Sequence, residues 1–297
     1  MTASTISNPA LPALSQDKPH GWKYWPLLPA ALLFVLFFIV PVSEVAFWSV
    51  RGDDGWSASH FLKALGAGPY RTILFGTLKL SLIVAVACVV LGYPVAYLLT
   101  ERPPRQQRLL LLFIMTPLWV SVLIRTYSWI VVLGREGLIN SLFQTVGLID
   151  APLPLLYNRG AVYAAMVQVL LPVAILTMFS AMSAINRSLL SAARILGASP
   201  WRAFIHVFLP LSAAGALSAG VLTFVLALGF FITPALVGGP KDHMIANVIA
   251  AQISETLDWG LASALGMTLL AAGLIIVGVV SFGLRRFTFI HSDGGTR

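Results

Sequence analysis

The chain has 297 residues, of which 58% are hydrophobic and only 10% are charged, and its mean hydropathy is +0.87. Soluble domains carry about 25% charged residues, so this composition argues against a water-soluble globule. The single cysteine, Cys88, excludes an intrachain disulfide and any metal site built from several cysteines.

Six apolar segments are long enough to cross a bilayer, which takes about 20 residues at about 1.5 Å per helical residue. The last three contain no Asp, Glu, Lys or Arg, whereas Lys79 lies in the second and Arg125 in the third. The first segment is too long for a signal peptide, and we expect it to remain in the mature protein. The sequence therefore predicts an all-α polytopic membrane protein with six transmembrane helices. The predicted spans are residues 26–48, 72–100, 109–133, 161–185, 211–237 and 261–284.

Basic residues predict the orientation, because cytoplasmic loops carry an excess of Lys and Arg. With the N-terminus inside, the inner segments hold 11 basic and 3 acidic residues, whereas the outer loops hold 6 basic and 7 acidic residues. The net charge of +8 therefore indicates topology, and no nucleic-acid partner is expected. Both termini are expected in the cytoplasm, with a disordered tail at 1–25, a membrane domain at 26–285 and a C-terminal tail at 286–297.

Two outer loops contain apolar stretches of their own. In the loop at 134–160, a short interfacial helix is expected at about 138–146, with Gly147 as its C-cap. The loop at 238–260 begins with GGPKDH and continues with MIANVIAAQI. That second stretch is expected to lie flat on the membrane or to dip into it.

The inner loop at 186–210, NRSLLSAARILGASPWRAFIHVFLP, predicts two short helices joined by a tight turn. The first helix is expected at 188–196, and Gly197 suits its C-cap because glycine takes a positive φ at little cost. Ser199 offers an N-cap oxygen and Pro200 the first helical residue, so the second helix is expected to run to about Phe208. Small residues at such a turn let a partner backbone approach closely. A cytoplasmic loop with aromatic side chains at the membrane interface would have the same composition.

This loop resembles the signature loop of binding-protein-dependent ABC importer permeases. Its pattern is E-A-A-x-x-x-G followed about a dozen residues later by L-P. Ala192, Ala193, Gly197 and Leu209-Pro210 match the pattern, whereas Ser191 stands where the family has Glu. The resemblance implies that the loop holds the coupling helix, which sits in a cleft of the cytoplasmic ATPase. The coupling residues would be Ser191, Ala192, Ala193, Gly197, Ala198, Ser199, Trp201, Leu209 and Pro210.

Three further segments are similar to spermidine/putrescine-type permeases at the same places relative to the spans: LIRTYSWIVVLGREGLIN, PLPLLYNRGAVY and ALVGGPKDHMIANVI. With them the resemblance covers roughly residues 26–285. It implies a type I ABC importer permease fold in a bacterial inner membrane, with a polyamine as the cargo.

The resemblance also implies partners: a second homologous permease, two cytoplasmic ABC ATPase subunits and a periplasmic substrate-binding protein. Another cargo, such as an opine, an iron chelate or another small cation, is the main alternative. A secondary transporter is the rival class. Such transporters usually carry ionisable residues at mid-membrane, and three charge-free spans argue against them.

No catalytic chemistry is expected from this chain. It lacks the G-x-x-x-x-G-K-[ST] phosphate-binding motif, so ATP and Mg would bind to the partner ATPase and this chain would hold no cofactor. Its five histidines show no metal-ligand spacing, and no Ser/His/Asp order indicates a nucleophile. The chain is therefore expected not to be an enzyme.

Polar side chains within the spans are candidates for the translocation path, because such groups are costly unless they are paired or face water. Each has a second explanation. Glu44 could reach the outer interface, Arg125 could snorkel or pair with Glu44, and Tyr127 could belong to an interfacial aromatic belt. Gln168 and Thr233 could equally serve contacts between helices.

The charge distribution generates a topology prediction. Reporter fusions at Arg105 and Arg202 should be cytoplasmic, because both residues lie in positively charged inner loops. Fusions at Asp150 and Asp242 should be external. The measurement is the activity of a reporter that works on only one side of the membrane, and a fusion found on the opposite face would contradict the six-span topology.

Overall fold

The computed structural model describes residues 28–52, 55–66 and 68–292, with side chains up to residue 283. It divides into two units, Met1–Glu44 and Val45–Arg297, and each is described by itself. The tail predicted at 1–25 and residues 293–297 of the predicted C-terminal tail lie outside the described residues.

The described chain is almost entirely helical. Its one departure is a short antiparallel hairpin, in which Arg51 pairs with Trp56 and Gly52 with Gly55. The elements are α1 (Leu28–Phe34), α2 (Val40–Val50), β1 (Arg51–Gly52), β2 (Gly55–Trp56), α3 (Ser59–Leu65), α4 (Pro69–Glu101), α5 (Pro104–Trp119), α6 (Val122–Leu133), α7 (Leu138–Thr145), α8 (Arg159–Ser183), α9 (Ser188–Ile195), α10 (Pro200–Ala203), α11 (Leu209–Leu228), α12 (Ile232–Val237), α13 (Ile245–Ser254) and α14 (Trp259–Ser292).

The number of membrane-crossing helices agrees with the prediction. Among the described residues, five helices are long and apolar enough to cross a bilayer, and a bent pair gives up to six if it forms one span. The all-α, polytopic fold is therefore confirmed. The last helix continues to Ser292, so the helix extends into the segment that the sequence assigned to a tail.

The N-terminal unit consists of α1, a π turn at Val35–Ile39 and the start of α2. Nearly all its side chains are exposed, as expected of a helix that lipid surrounds. A second π turn, Phe204–Phe208, joins α10 to α11 in the other unit. Both turns end two residues before a proline, Pro41 or Pro210. The wider turn gives the proline ring room where it would otherwise meet the carbonyl four residues earlier.

The core of the larger unit lies where α4, α8 and α11 pack together. At Gly215, α11 approaches α8 so closely that an added Cβ atom would lie 2.4 Å from the Cβ of Ala181. Lipid is as apolar as these side chains, so close packing rather than burial from water holds the helices together. Fully buried core side chains from the three helices and the second π turn include Val84, Cys88, Met166, Met178 and Phe208.

The prediction of one continuous third span at 109–133 is wrong. The chain forms α5 and α6 instead, separated at residues 120–121, and α5 is bent by 91° from the segment Val122–Thr145. Pro117 lies in the last turn of α5, three residues before the break. The N–H of Val120 bonds to the carbonyl of Pro117 at 3.2 Å, and the backbone is extended at Val120.

The predicted fifth span at 211–237 also differs from the structure. One helix runs without interruption from Pro200 to Leu228, and α12 follows after a break at residues 229–231. The helix is continuous at Pro210 because of the π turn before it. Because the chain breaks after Leu228, Pro234 lies in the first turn of α12. N–H groups in the first turn have no acceptor within the helix, so the N–H group that proline lacks costs no hydrogen bond there.

The two apolar stretches in the outer loops form helices. The interfacial helix expected at about 138–146 is α7, and Gly147 follows it with a φ of +73°. The MIANVIAAQI stretch forms α13. Its first N–H group, at Ile245, donates to the hydroxyl of Thr77 on α4 at 2.8 Å, which ties α13 to the membrane helices.

Asn140 organises the loop around α7. Its buried amide donates to the carbonyls of Gly134 and Leu153, both at 3.0 Å, and its oxygen accepts from the N–H of Leu153 at 2.9 Å. One side chain therefore joins the end of α6 to the segment before α8.

Replacing Asn140 should destabilise the protein. Asn140→Ala removes all three bonds and leaves the N–H of Leu153 without its partner, at a cost of about 1–3 kcal/mol, whereas the carbonyls of Gly134 and Leu153 keep bonds from Gly137 and Leu155. The melting temperature of the purified protein should fall, whereas that of the exposed neighbour variant Ser141→Ala should not. Equal melting temperatures for the two variants would contradict this role.

Candidate functional site

The turn of the inner loop has the geometry that its sequence predicts. Gly197 follows α9 with a φ of +90°. The N–H of Gly197 bonds to the carbonyl of Arg194, and that of Ala198 to the carbonyl of Ala193, both at 3.0 Å. These two bonds form a Schellman motif, so the predicted C-cap is confirmed.

The second half of the loop starts as predicted but does not end as predicted. The hydroxyl of Ser199 accepts from the N–H of Arg202 at 3.4 Å, and Pro200 is the first helical residue. A separate helix ending near Phe208 was expected, but α10 leads through the π turn directly into α11. Leu209 and Pro210 therefore begin α11 within a continuous helix rather than separating two helices.

The tip of this loop exposes a cluster of apolar side chains. Ile195 is 85% exposed, Leu196 88% and Trp201 69%. Ser191 and Ala192 are exposed on α9, whereas Ala193 and Ala198 are half-buried. We call Ile195, Leu196 and Trp201 the apolar tip.

The sequence analysis selected Trp201 but missed Ile195 and Leu196. The exposure of both residues could have been predicted from their positions relative to Leu190, the buried residue of α9. At 100° per residue, five or six positions from Leu190 fall well away from its face of the helix.

The loop is anchored at its start by an ion pair that the sequence analysis did not select. The guanidinium of Arg187 contacts the carboxylate of Glu101 at the end of α4 and donates to the carbonyl of Thr100 at 2.8 Å. The pair is partly exposed, so its contribution to stability is at most about 1 kcal/mol. Its effect is to position α9 relative to α4.

One of the predicted path residues, Thr233, meets Thr126, which lies between the predicted residues Arg125 and Tyr127. The hydroxyls of Thr126 and Thr233 lie 3.2 Å apart, and both residues are fully buried. Thr126 follows the break between α5 and α6, and Thr233 follows the break between α11 and α12. The structure thus brings the two breaks together.

Arg125 and Gln168 share an open cavity of about 270 Å³ with Ser128, Trp129 and Val132. The side-chain oxygen of Gln168 accepts from the indole N–H of Trp129 at 3.5 Å. Two nitrogens of Arg125, Nε and Nη1, are buried without a hydrogen-bond partner among the described residues.

Two other predicted path residues are not part of this group. Tyr127 is 57% exposed and does not line the cavity. Glu44 is exposed in the N-terminal unit, which is described by itself.

The outer GGPKDH segment packs on the start of α8. Arg159 donates to the carboxylate of Asp242 at 2.9 Å, and a Cβ atom at Gly239 would lie 2.5 Å from the carbonyl of Tyr157. Neither member of this ion pair was predicted from the sequence, although the two residues carry opposite charges in successive predicted outer loops.

Asn247 on α13 stabilises the second break. Its amide donates to the carbonyl of Phe231 at 2.9 Å, and its oxygen accepts from the N–H of Met244 at 3.0 Å. Asn247, Phe231, Lys241 and Glu255 line an outer cavity of about 540 Å³. In the described residues, no group of three His, Cys, Asp or Glu side chains is placed to hold a metal ion.

A family model matches residues 88–288, and its description is "Binding-protein-dependent transport system inner membrane component". Among curated proteins, the spermidine/putrescine transport system permease protein PotB of Escherichia coli (strain K12) is 34% identical over 209 residues. The match spans 70% of this chain and 76% of that protein. PotB of Haemophilus influenzae is 35% identical over 210 residues, which is 70% of this chain and 73% of that protein.

Solved structures show the same fold. A chain of the bacterial alginate ABC transporter, in complex with an alginate pentasaccharide-bound periplasmic protein, superposes with a TM-score of 0.77 at 18% identity. The match covers 89% of this chain and 94% of that one. A chain of the inward-facing MetNI methionine ABC transporter gives a TM-score of 0.51 at 19% identity, over 76% of this chain and 96% of that one.

Proposed function

The chain belongs to the family of binding-protein-dependent transport system inner membrane components, and we propose that it is the permease subunit of an ABC importer that carries a polyamine. The similarity to two PotB proteins over most of the chain carries the choice of cargo. Polyamines are cations, and the outer loops, with one more acidic than basic residue, are compatible with that charge.

The assembled importer would contain this chain, a second homologous permease, two cytoplasmic ATPase subunits and a periplasmic binding protein. The binding protein would deliver the cargo, and ATP, bound with Mg by the ATPase pair, would be hydrolysed there. This chain would supply half of the path and one coupling element, with no bond-making chemistry of its own. Both termini would lie in the cytoplasm of a bacterial cell, and the membrane would be the inner one.

The apolar tip would dock in a cleft of the ATPase. Exposed apolar side chains grouped on a turn are typical of a protein interface. The helix from Pro200 to Leu228 starts at this turn and has 29 residues, so it is about 40 Å long. It can therefore transmit a movement of the turn to its other end. It ends at the break where Thr126 and Thr233 meet. Closure of the ATPase pair would thereby move the outer part of the path.

The path itself would be lined by the polar groups near the two breaks, Arg125, Gln168 and Thr233, with Tyr127 and Glu44 as further candidates. Alternating access would follow from the motion of the helix Pro200–Leu228 against α6. The last three predicted spans contain no Asp, Glu, Lys or Arg that could relay protons or sodium ions, which favours ATP as the energy source.

The coupling role predicts the effect of a substitution at the turn. In Gly197→Val, a β-branched residue must adopt a φ of +90°, which costs about 1–3 kcal/mol and re-aims the helix that begins at Pro200. The substitution should cause no steric clash at Cβ, because no atom lies within 4 Å of the added Cβ. Membrane abundance should remain near normal, whereas solute uptake should be lost.

Gly147→Val is the matched control, since Gly147 has a φ of +73° and equally open surroundings in an outer loop. It imposes a similar strain and should leave uptake near normal. Normal abundance together with normal uptake in Gly197→Val would show that this turn is not the coupling element.

The cargo is tested by uptake of radiolabelled spermidine and putrescine into cells with and without the gene for this chain. Deletion should abolish the ATP-dependent part of that uptake, and a plasmid copy should restore it. If neither polyamine is affected while uptake of another solute falls, the cargo proposal is wrong although the family stands.

A further inference from the structure

Arg125 carries a charge that the described part of the chain leaves uncompensated. It lies in α6, one residue before the buried Thr126, and its Nε and Nη1 atoms are buried with no hydrogen-bond partner among the described residues. A charged side chain within a membrane span is costly unless it is paired or faces water. The guanidinium therefore requires water or a partner from outside this part of the chain.

The surroundings of Arg125 form a distinct helix face. Arg125, Ser128, Trp129 and Val132 follow the spacing i, i+3, i+4 and i+7, so they share one side of α6. Gln168 of α8 completes the cavity of about 270 Å³, and its side-chain oxygen is already engaged by Trp129. A face with Arg, Ser and Gln side chains is unsuited to lipid tails. The open side of the cavity therefore faces water or another protein chain.

A carboxylate is the side chain that fits this site best. A guanidinium presents a planar fork of N–H donors that matches the two oxygens of a carboxylate. The proposed cargo cannot fill the role, because a polyamine is itself a cation. An unpaired guanidinium beside the path would instead repel it.

This chain has few carboxylates that could reach the site. Segments 69–100, 104–133, 159–183, 200–228 and 259–283 contain no Asp or Glu, and Glu44 is the sole acidic residue in Leu28–Val50. At the ends of the helices, Glu101 pairs with Arg187 and Asp242 with Arg159. In the described part of the chain, no carboxylate forms an ion pair with Arg125.

We propose that the cavity around Arg125 receives an Asp or Glu side chain from a membrane span of the second permease subunit. This inference rests on the proposed function, which supplies that subunit. Among the spans of this chain, Glu44 is the sole acidic residue, so a second copy of this chain could supply the carboxylate only through Glu44. The ion pair joins the two subunits and removes a positive charge that would oppose a cationic cargo.

The test uses the whole transport system expressed together, with an affinity tag on this chain. The measured quantity is the amount of second permease that co-purifies with it, relative to its abundance in the membrane. Arg125→Gln should reduce that amount at least about tenfold, as expected when one member of a buried charge pair is removed. Arg125→Lys, which keeps the charge, should lose less. Arg71→Gln removes an exposed charge from the same protein and should have no effect.

A second experiment identifies the carboxylate, and its result does not depend on whether Arg125→Gln folds normally. Each Asp or Glu within the spans of the second permease is changed to Asn or Gln in turn. One of these changes should reproduce the loss, and combining it with Arg125→Gln should cause no further loss. Exchanging the two charges between the subunits should restore co-purification.

Four results would overturn the proposal. Normal co-purification of Arg125→Gln would exclude the ion pair, and so would a scan in which no acidic residue of the second permease matters. The same loss in Glu44→Gln would assign the carboxylate to this chain or a second copy of it. Normal co-purification with a raised KM for the cargo would assign Arg125 to solute binding. If the unchanged protein captures no second permease at all, the proposed function itself fails.

Discussion

The fold depends on one constraint: within a bilayer, every backbone N–H and C=O group needs a partner inside the protein. Regular helices satisfy it, and the places where the helices are interrupted show how the chain meets it otherwise. At the break after α11, the amide of Asn247 bonds at 2.9 Å to the carbonyl of Phe231, which also accepts from the N–H of Ala235. Near the two breaks, the hydroxyls of Thr126 and Thr233 approach to 3.2 Å. At Pro210, a π turn lets the helix continue instead. Pro210 thus lies within a continuous helix, because the turn before it is wider.

The arrangement of breaks and continuous helices determines which parts can move together. The helix Pro200–Leu228 joins the exposed turn at Gly197 to the break beside Thr233 without interruption. The core packing of α11 against α4 and α8 limits bending along most of its length, and the close approach at Gly215 leaves no room for a larger side chain. In contrast, residues 120–121 and 229–231 lie between helices rather than within one. Motion is therefore expected at the breaks, with the helix between the turn and the second break moving as a unit.

Local features were predictable from the sequence, and long-range ones were not. Gly197, Ser199 and Pro200 act through bonds to residues at most five positions away, so capping rules were sufficient for the turn. The spans were found from hydropathy, which measures apolar length and cannot detect a bend. The breaks at 120–121 and 229–231 were therefore missed, although Pro117 and Pro234 are visible in the sequence. The contacts of Asn247 with Phe231 and of Arg159 with Asp242 depend on how helices and loops pack. No spacing along the chain indicates which of many possible partners such a side chain meets.

The central claim is that the helix Pro200–Leu228 moves as a rigid unit between the coupling turn and the path. It is tested most directly by electron–electron distance measurements between pairs of spin labels in the assembled transporter, with and without ATP. Labels at Arg202 and Leu226, both exposed on this helix, should remain about 36 Å apart in both states. The distance from Arg202 to Tyr127 on α6 should change on ATP binding. A change within the first pair, or no change in the second, would contradict the account.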